Sequence, residues 1–141
     1  MCTCGSQWKD HVYALLRVLT GFVFVYHGYD KVFGMGIDAT AKFFTSVGIP
    51  AANILAPLVA YGELLGGIAL MVGFLTHWVS KAFVVIMLGA IWFVHLSKGF
   101  SVMDGGYEYP LVLLVLSVFF LVHGAGKFSI DAKRGTHENH S

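Results

Sequence analysis

Four long apolar runs, separated by short clusters of glycine and polar residues, set the pattern of this chain. The first extends from Val12 to about Phe33, the second from Ala52 to Phe74, the third from Trp78 to Leu96 and the fourth from Tyr107 to about Gly124. As helices rising about 1.5 Å per residue, runs of this length suit a hydrocarbon slab about 30 Å thick. No period-two alternation persists, and the runs are too long for barrel strands. Between the first two lies Ala39 to Val47, with Phe43, Phe44 and Val47 on one side and Lys42 and Ser46 off it. That spacing predicts an interfacial helix lying on the membrane. Gly48-Ile49-Pro50 ends it, and Pro50 is expected in the first turn of the following helix. Thr76 and His77 read as a tight turn, and Ser97 to Gly106 as a glycine-rich loop. The expected fold class is all-α: a four-transmembrane-helix bundle with a short interfacial helix between the first two spans. The division is a polar segment 1–11, a membrane domain 12–126 with spans at about 12–33, 52–74, 78–96 and 107–124, and a polar tail 127–141, mobile at its end.

Composition agrees with the pattern. The chain is 57% hydrophobic and 12% charged, against about 45–50% and about 25% in soluble domains. A net charge of +1 without a basic stripe excludes a nucleic-acid partner and leaves the lipid bilayer as the first one. The opening MCTCGSQWKDH has no small-residue cleavage motif after an apolar core, so the first run is expected to remain in the mature protein. Its Cys2 and Cys4 are too close for an ordinary disulfide and lack the further ligands of a tetrahedral metal site. Four spans put both termini on one side. Lys9, Lys127, Lys133 and Arg134, with Arg17 and Lys81 at helix ends, outnumber Lys31, Lys42 and Lys98 opposite, so the cation bias places both termini in the cytoplasm. Trp78, Trp92, Tyr29 and Tyr107 fall near span ends, where interfacial aromatics belong.

Against this background Glu63 stands out. It is the only charged residue between Phe43 and Ser80. An acidic group near the bilayer midplane costs at least ~2.5 kcal/mol unless it is paired or protonated. It is read either as a structural hydrogen bond between helices or as a ligand or proton site. On a helical wheel Arg17, Thr20, Phe24, His27 and Lys31 share one face of the first span, flanked by Gly21 and Gly28. Counting depth from the outer ends of the spans, the expected arrangement is an Arg17–Glu63 pair with His27 above it. Lys31, His95 and Glu108 then gather with His27 at the extracytoplasmic mouth, and Trp92 lies one turn below His95. The result is a cup, charged at the rim and apolar below, suited to a quinone-like molecule with a polar head and a greasy body. Histidine and carboxylate together can relay protons to a carbonyl being reduced. A haem clamped by His27 and His95 is the less favoured cofactor. His123 is read as a packing residue, and His137, Glu138 and His140 as a solvated tail.

The same residues carry a family resemblance. Arg17 with Gly21, His27-Gly28-xx-Lys31-xx-Gly34, Gly48-Ile49-Pro50, the Glu63 helix with Gly66-Gly67, Val94-His95, Gly106-Tyr107-Glu108-Tyr109 and Gly124-Ala125-Gly126-Lys127-Phe128-Ser129-Ile130-Asp131 occur in order. From about Leu16 to Asp131 the chain resembles the DoxX family of small bacterial inner-membrane proteins. That resemblance implies four spanning helices and both termini in the cytoplasm. It also implies an association with respiratory or sulfur redox chemistry, including thiosulfate:quinone oxidoreductase subunits and redox-stress complexes. The wider clan resembles four-helix cargo receptors and assembly chaperones. No Rossmann fingerprint or cysteine cluster is present, so an oxidoreductase subunit of this kind takes its electrons from a partner protein or a bound organic molecule. The alternative is a non-enzymatic module that escorts or assembles a partner protein. The glycine-rich faces of the first two spans serve packing within one chain or between copies in a homo-oligomer.

Overall fold

The computed structural model describes residues 4–135, which places Cys2, His137, Glu138 and His140 outside the described part. Among those residues there is no strand. Helix α1 (Cys4–Tyr29) runs on through a π-helical turn, Asp30–Gly34. Helix α2 (Ile37–Ser46) follows, then α3 (Ala52–Val72) and α4 (Thr76–Ala90). The last of these ends in a second π turn, Ile91–His95, and a 3-10 turn, Leu96–Lys98. A short turn at Val102–Asp104 leads to α5 (Glu108–His123), and α6 (Ile130–Gly135) closes the described chain. Three apolar helical stretches are long enough to cross a membrane: Gln7–Gly34, Ala52–Val72 and Thr76–Lys98. Glu108–His123 is a shorter apolar helix.

The boundaries differ from expectation in three places. Pro50 lies just ahead of α3 rather than in its first turn. The turn between α3 and α4 is Gly73–Leu75, while Thr76 and His77 already belong to α4. Gly73 takes the left-handed conformation (φ 69°), and the Phe74 N–H reaches back to the Ala69 carbonyl at 2.8 Å, so this turn closes α3 as a Schellman motif does. Finally, the tail begins with a helix that was not expected: α6 docks onto the α3–α4 turn, where the Asp131 N–H donates to the Gly73 carbonyl at 2.9 Å, while the end of the tail expected to be mobile lies outside the described residues.

Helix α1 packs most extensively on α3, and α4 on α5. Glycine makes the first contact possible. A methyl group on Gly21 would stand 2.7 Å from the Gly67 carbonyl oxygen, and one on Gly28 would strike the backbone of Leu64. The two backbones therefore touch directly, which fixes the antiparallel register of α1 on α3. At mid-bundle Phe24 stacks on Phe83 with ring centroids 3.6 Å apart, in a core completed by Leu70, Met87, Leu113 and Phe120. A second cluster joins Ala41 and Phe44 of α2 to Ala52 and Ala56 of α3. In this register the first turns of α3 extend past the end of α1, and α2 covers them.

Candidate functional site

The fold separates the polar side chains into two groups at opposite ends of the bundle. Arg17 belongs to the end that carries the start of α1 and the short helix α6. It is 3% exposed and forms no ion pair with Glu63. Its guanidinium donates to the carbonyl of Ala125, to that of Phe128 at 2.6 Å and to that of Met71 at 3.3 Å. Met71 is in the last turn of α3, and Ala125 and Phe128 follow the end of α5. One cation thus satisfies a carbonyl in the last turn of α3, where the backbone has unpaired acceptors and partial negative charge, together with two in the segment that links α5 to α6. The expected Arg17–Glu63 pair is corrected on this point. The register set by Gly21, Gly28 and Gly67 carries Arg17 to the level of Met71 and brings Lys31, two turns nearer the other end than Phe24, to Glu63.

Two residues absent from the sequence-based site complete this clasp. The Tyr13 hydroxyl donates to the Gly124 carbonyl at 2.6 Å. The Asp131 carboxylate accepts the N–H groups of Leu75 and Thr76, each at 2.9 Å, and so caps the start of α4 from more than fifty residues away. Leu75 stands in the left-handed region at φ 50°, uncommon for a branched side chain, and its bond to Asp131 helps hold it there.

At the other end, Glu63 meets Lys31. The Lys31 ammonium donates to Glu63 Oε2 at 2.6 Å, and it also lies 3.4 Å from the carbonyl of His27. His27 Nε2 is 3.3 Å from the Tyr109 hydroxyl of α5. Lys31, His27 and Glu63 are therefore brought together, and Tyr109 joins them. Lys31 sits within the first π turn, so the extra residue in that turn shifts its side chain relative to a regular α-helix; π turns recur at functional positions.

The remaining rim residues have other partners. His95 Nδ1 is 2.6 Å from the Gly105 carbonyl, and Glu108 Oε2 accepts the Val102 N–H at 2.9 Å. Both side chains brace the loop between α4 and α5. Trp92 is 70% exposed and points outward, toward the surface that faces lipid in a spanning bundle. Among the described residues no cluster of three or more His, Cys, Asp or Glu side chains is arranged to hold a metal ion. His123, read as a packing residue, is exposed: it bonds the Phe119 carbonyl within its own helix at 3.0 Å and stacks on the Phe119 ring.

Helices of this length and apolarity, packed through glycine and enclosing a buried ion pair, define a multi-pass helical membrane protein. The DoxX family model matches residues 12–96, and the chain belongs to that family. It is 35% identical over 117 residues to a Bacillus subtilis protein named "Putative oxidoreductase CatD", a match covering 83% of this chain and 82% of the relative. It is 30% identical over 134 residues to an uncharacterized membrane protein of Mycobacterium tuberculosis, covering 86% of this chain and 82% of the relative. An uncharacterized Haemophilus influenzae protein is 28% identical over 132 residues, covering 91% of this chain and 94% of that protein. No solved structure matches the chain.

Proposed function

We propose that this protein is a redox-associated subunit of the bacterial inner membrane that binds the polar head of a quinone-like amphipathic molecule beside Lys31 and Glu63. Both termini lie in the cytoplasm in this reading, residues 12–126 form the membrane domain, and α2 rests at the extracytoplasmic interface against the start of α3. The observation that carries the reading is the 2.6 Å Lys31–Glu63 contact inside apolar helices, with His27 and Tyr109 alongside. A charged pair at that depth needs a reason beyond packing, because hydrophobic residues of similar volume are often as stabilising. Lys31 keeps 21% of its side chain exposed, so its remaining donors are available to a carbonyl oxygen. His27 and Tyr109 can both donate and accept hydrogen bonds at that oxygen, and Glu63 holds the lysine in place. The name of the Bacillus subtilis relative agrees with a redox role. Electrons come from a partner protein or a bound organic molecule.

The test uses the full chain purified in mild detergent. Lipids are extracted and searched for bound quinone, and a short-chain quinone is titrated against intrinsic fluorescence. Saturable binding is expected, weakened in His27→Ala and in Glu63→Gln proteins that keep their helical signal. Absence of both retained quinone and titratable binding overturns the proposal. Recovery of a stoichiometric protein partner with no small molecule would favour the assembly-module reading instead.

A further inference from the structure

The seam between α1 and α5 opens at the end of the bundle that carries the start of α1, far from the Lys31–Glu63 pair. The helices touch there through Tyr13, whose ring lies 5.5 Å from Phe119 and 5.7 Å from Phe120, centroid to centroid. Outside that contact is a groove of about 370 Å³ lined by Trp8, Lys9, Val12, Tyr13, Leu16 and Phe119. Its walls are almost wholly apolar, and it faces outward from the bundle. In a bilayer such a concavity cannot be left to water, which finds no hydrogen-bond partners there, and leaving it empty forfeits dispersion contacts. A hydrocarbon chain fills it at no polar cost.

The rim adds a charge. Lys9 is exposed and makes neither a hydrogen bond nor an ion pair among the described residues. The nearby Lys127 is instead engaged by Asp10 at 3.3 Å. Trp8, 71% exposed, stands beside Lys9 at the start of the spanning stretch, the depth at which indole rings sit among headgroups. An unpaired ammonium at headgroup level, one residue from an interfacial tryptophan and directly above an acyl-sized apolar groove, matches the two ends of a phospholipid bearing net negative charge. We propose that the α1–α5 groove is a binding site for one anionic phospholipid, its acyl chain along Val12, Leu16 and Phe119 and its headgroup phosphate at Lys9. The lipid then supplies packing that the two helices do not give each other. The inference is independent of what binds beside Glu63.

Native mass spectrometry of the full chain, titrated with phosphatidylglycerol or phosphatidylcholine of equal chain length, tests it. One saturable phosphatidylglycerol adduct is expected, with several-fold weaker uptake of phosphatidylcholine. Lys9→Gln should erase most of that preference. Lys81→Gln should keep it, because Lys81 lies over the Trp78 ring at 4.5 Å on a different helix and controls for general surface charge. Leu16→Trp, which fills the groove, should reduce uptake of both lipids; Val12→Trp fills the same space from a more exposed position and serves if the first variant melts early. Equal uptake of the two lipids by the unmodified protein, or identical behaviour of the Lys9 and Lys81 variants, overturns the proposal.

Discussion

The Lys31 ammonium stands 2.6 Å from Glu63 Oε2, with the glutamate side chain 4% exposed and the lysine 21%. The pair is lopsided: one partner is sealed among helices while the other opens to its surroundings. Removing the lysine is therefore the harsher change, since it strands a buried carboxyl group that cannot reach water. Lys31→Ala should cost about 3 kcal/mol, in line with other broken buried pairs. Glu63→Gln should cost less, because the amide still accepts from Lys31 and leaves no buried charge. The double change to Met at both positions should recover most of the stability and none of the ligand affinity. Melting in detergent, followed by circular dichroism, checks all three. Equal melting of Lys31→Ala and the unmodified protein would mean that the pair contributes nothing to the fold.

Arg17 behaves differently, because its partners are backbone carbonyls and not a carboxylate. Arg17→Ala leaves those carbonyls buried without donors, at about 1–3 kcal/mol for each group that water cannot reach. Arg17→Lys should rescue little, since a point charge cannot address several divergent acceptors as a planar guanidinium does. The expected readout is early protease cleavage near Ala125 to Ser129, with ligand binding intact in whatever protein remains folded. Loss of ligand in a well-folded Arg17→Lys protein would contradict the assignment of Arg17 to the clasp.

Much of the architecture was legible because it depends on composition and run length. The apolar runs gave the long helices, and the lone Glu63 within uncharged sequence announced a buried carboxylate. His27 and Lys31 were found by helical spacing. The partner of Glu63 was not legible, because depth counted from predicted span ends assumes that neighbouring helices start level. Here α3 begins well beyond the end of α1, under the cover of α2, and direct glycine contacts set the register. Arg17 was misassigned for a related reason: a cation answered by carbonyl oxygens leaves no complementary residue in the sequence to find. Tyr109 carried a weak signal, a hydroxyl in the first turn of α5 at the same end as His27. Asp131 carried less, since its capping role depends on a chain reversal between α5 and α6.

The Asp131 cap predicts a local effect. Asp131→Ala removes the acceptor for two N–H groups at the start of α4 and should cost about 1 kcal/mol, as lost helix caps do. Asp131→Asn should retain part of this, because one amide oxygen remains to accept. Hydrogen exchange should quicken at Leu75 and Thr76 while staying slow around Phe24 and Phe83. Acceleration that spread into the Phe24–Phe83 core would mean that the tail clasp is part of the global fold and not a local closure.

The glycine contacts give the sharpest link between packing and the site. A side chain on Gly28 would collide with the Leu64 backbone, one residue from Glu63, and neither backbone can yield without parting the helices. Gly28→Ala should therefore displace α1 from α3, pull Lys31 away from Glu63 and lower both the melting temperature and ligand affinity. Gly89→Ala is the matched control: nothing lies within 4 Å of the added methyl, and the helix gains up to about 1 kcal/mol from the better helix former. The comparison separates the two roles of the Lys31–Glu63 pair. If Gly28→Ala lowers stability but leaves quinone titration unchanged, the ligand does not depend on that pair, and a head-group site beside it cannot stand. If both fall together while Gly89→Ala remains silent, the close approach of α1 to α3 is what holds Lys31 and Glu63 in place for the ligand.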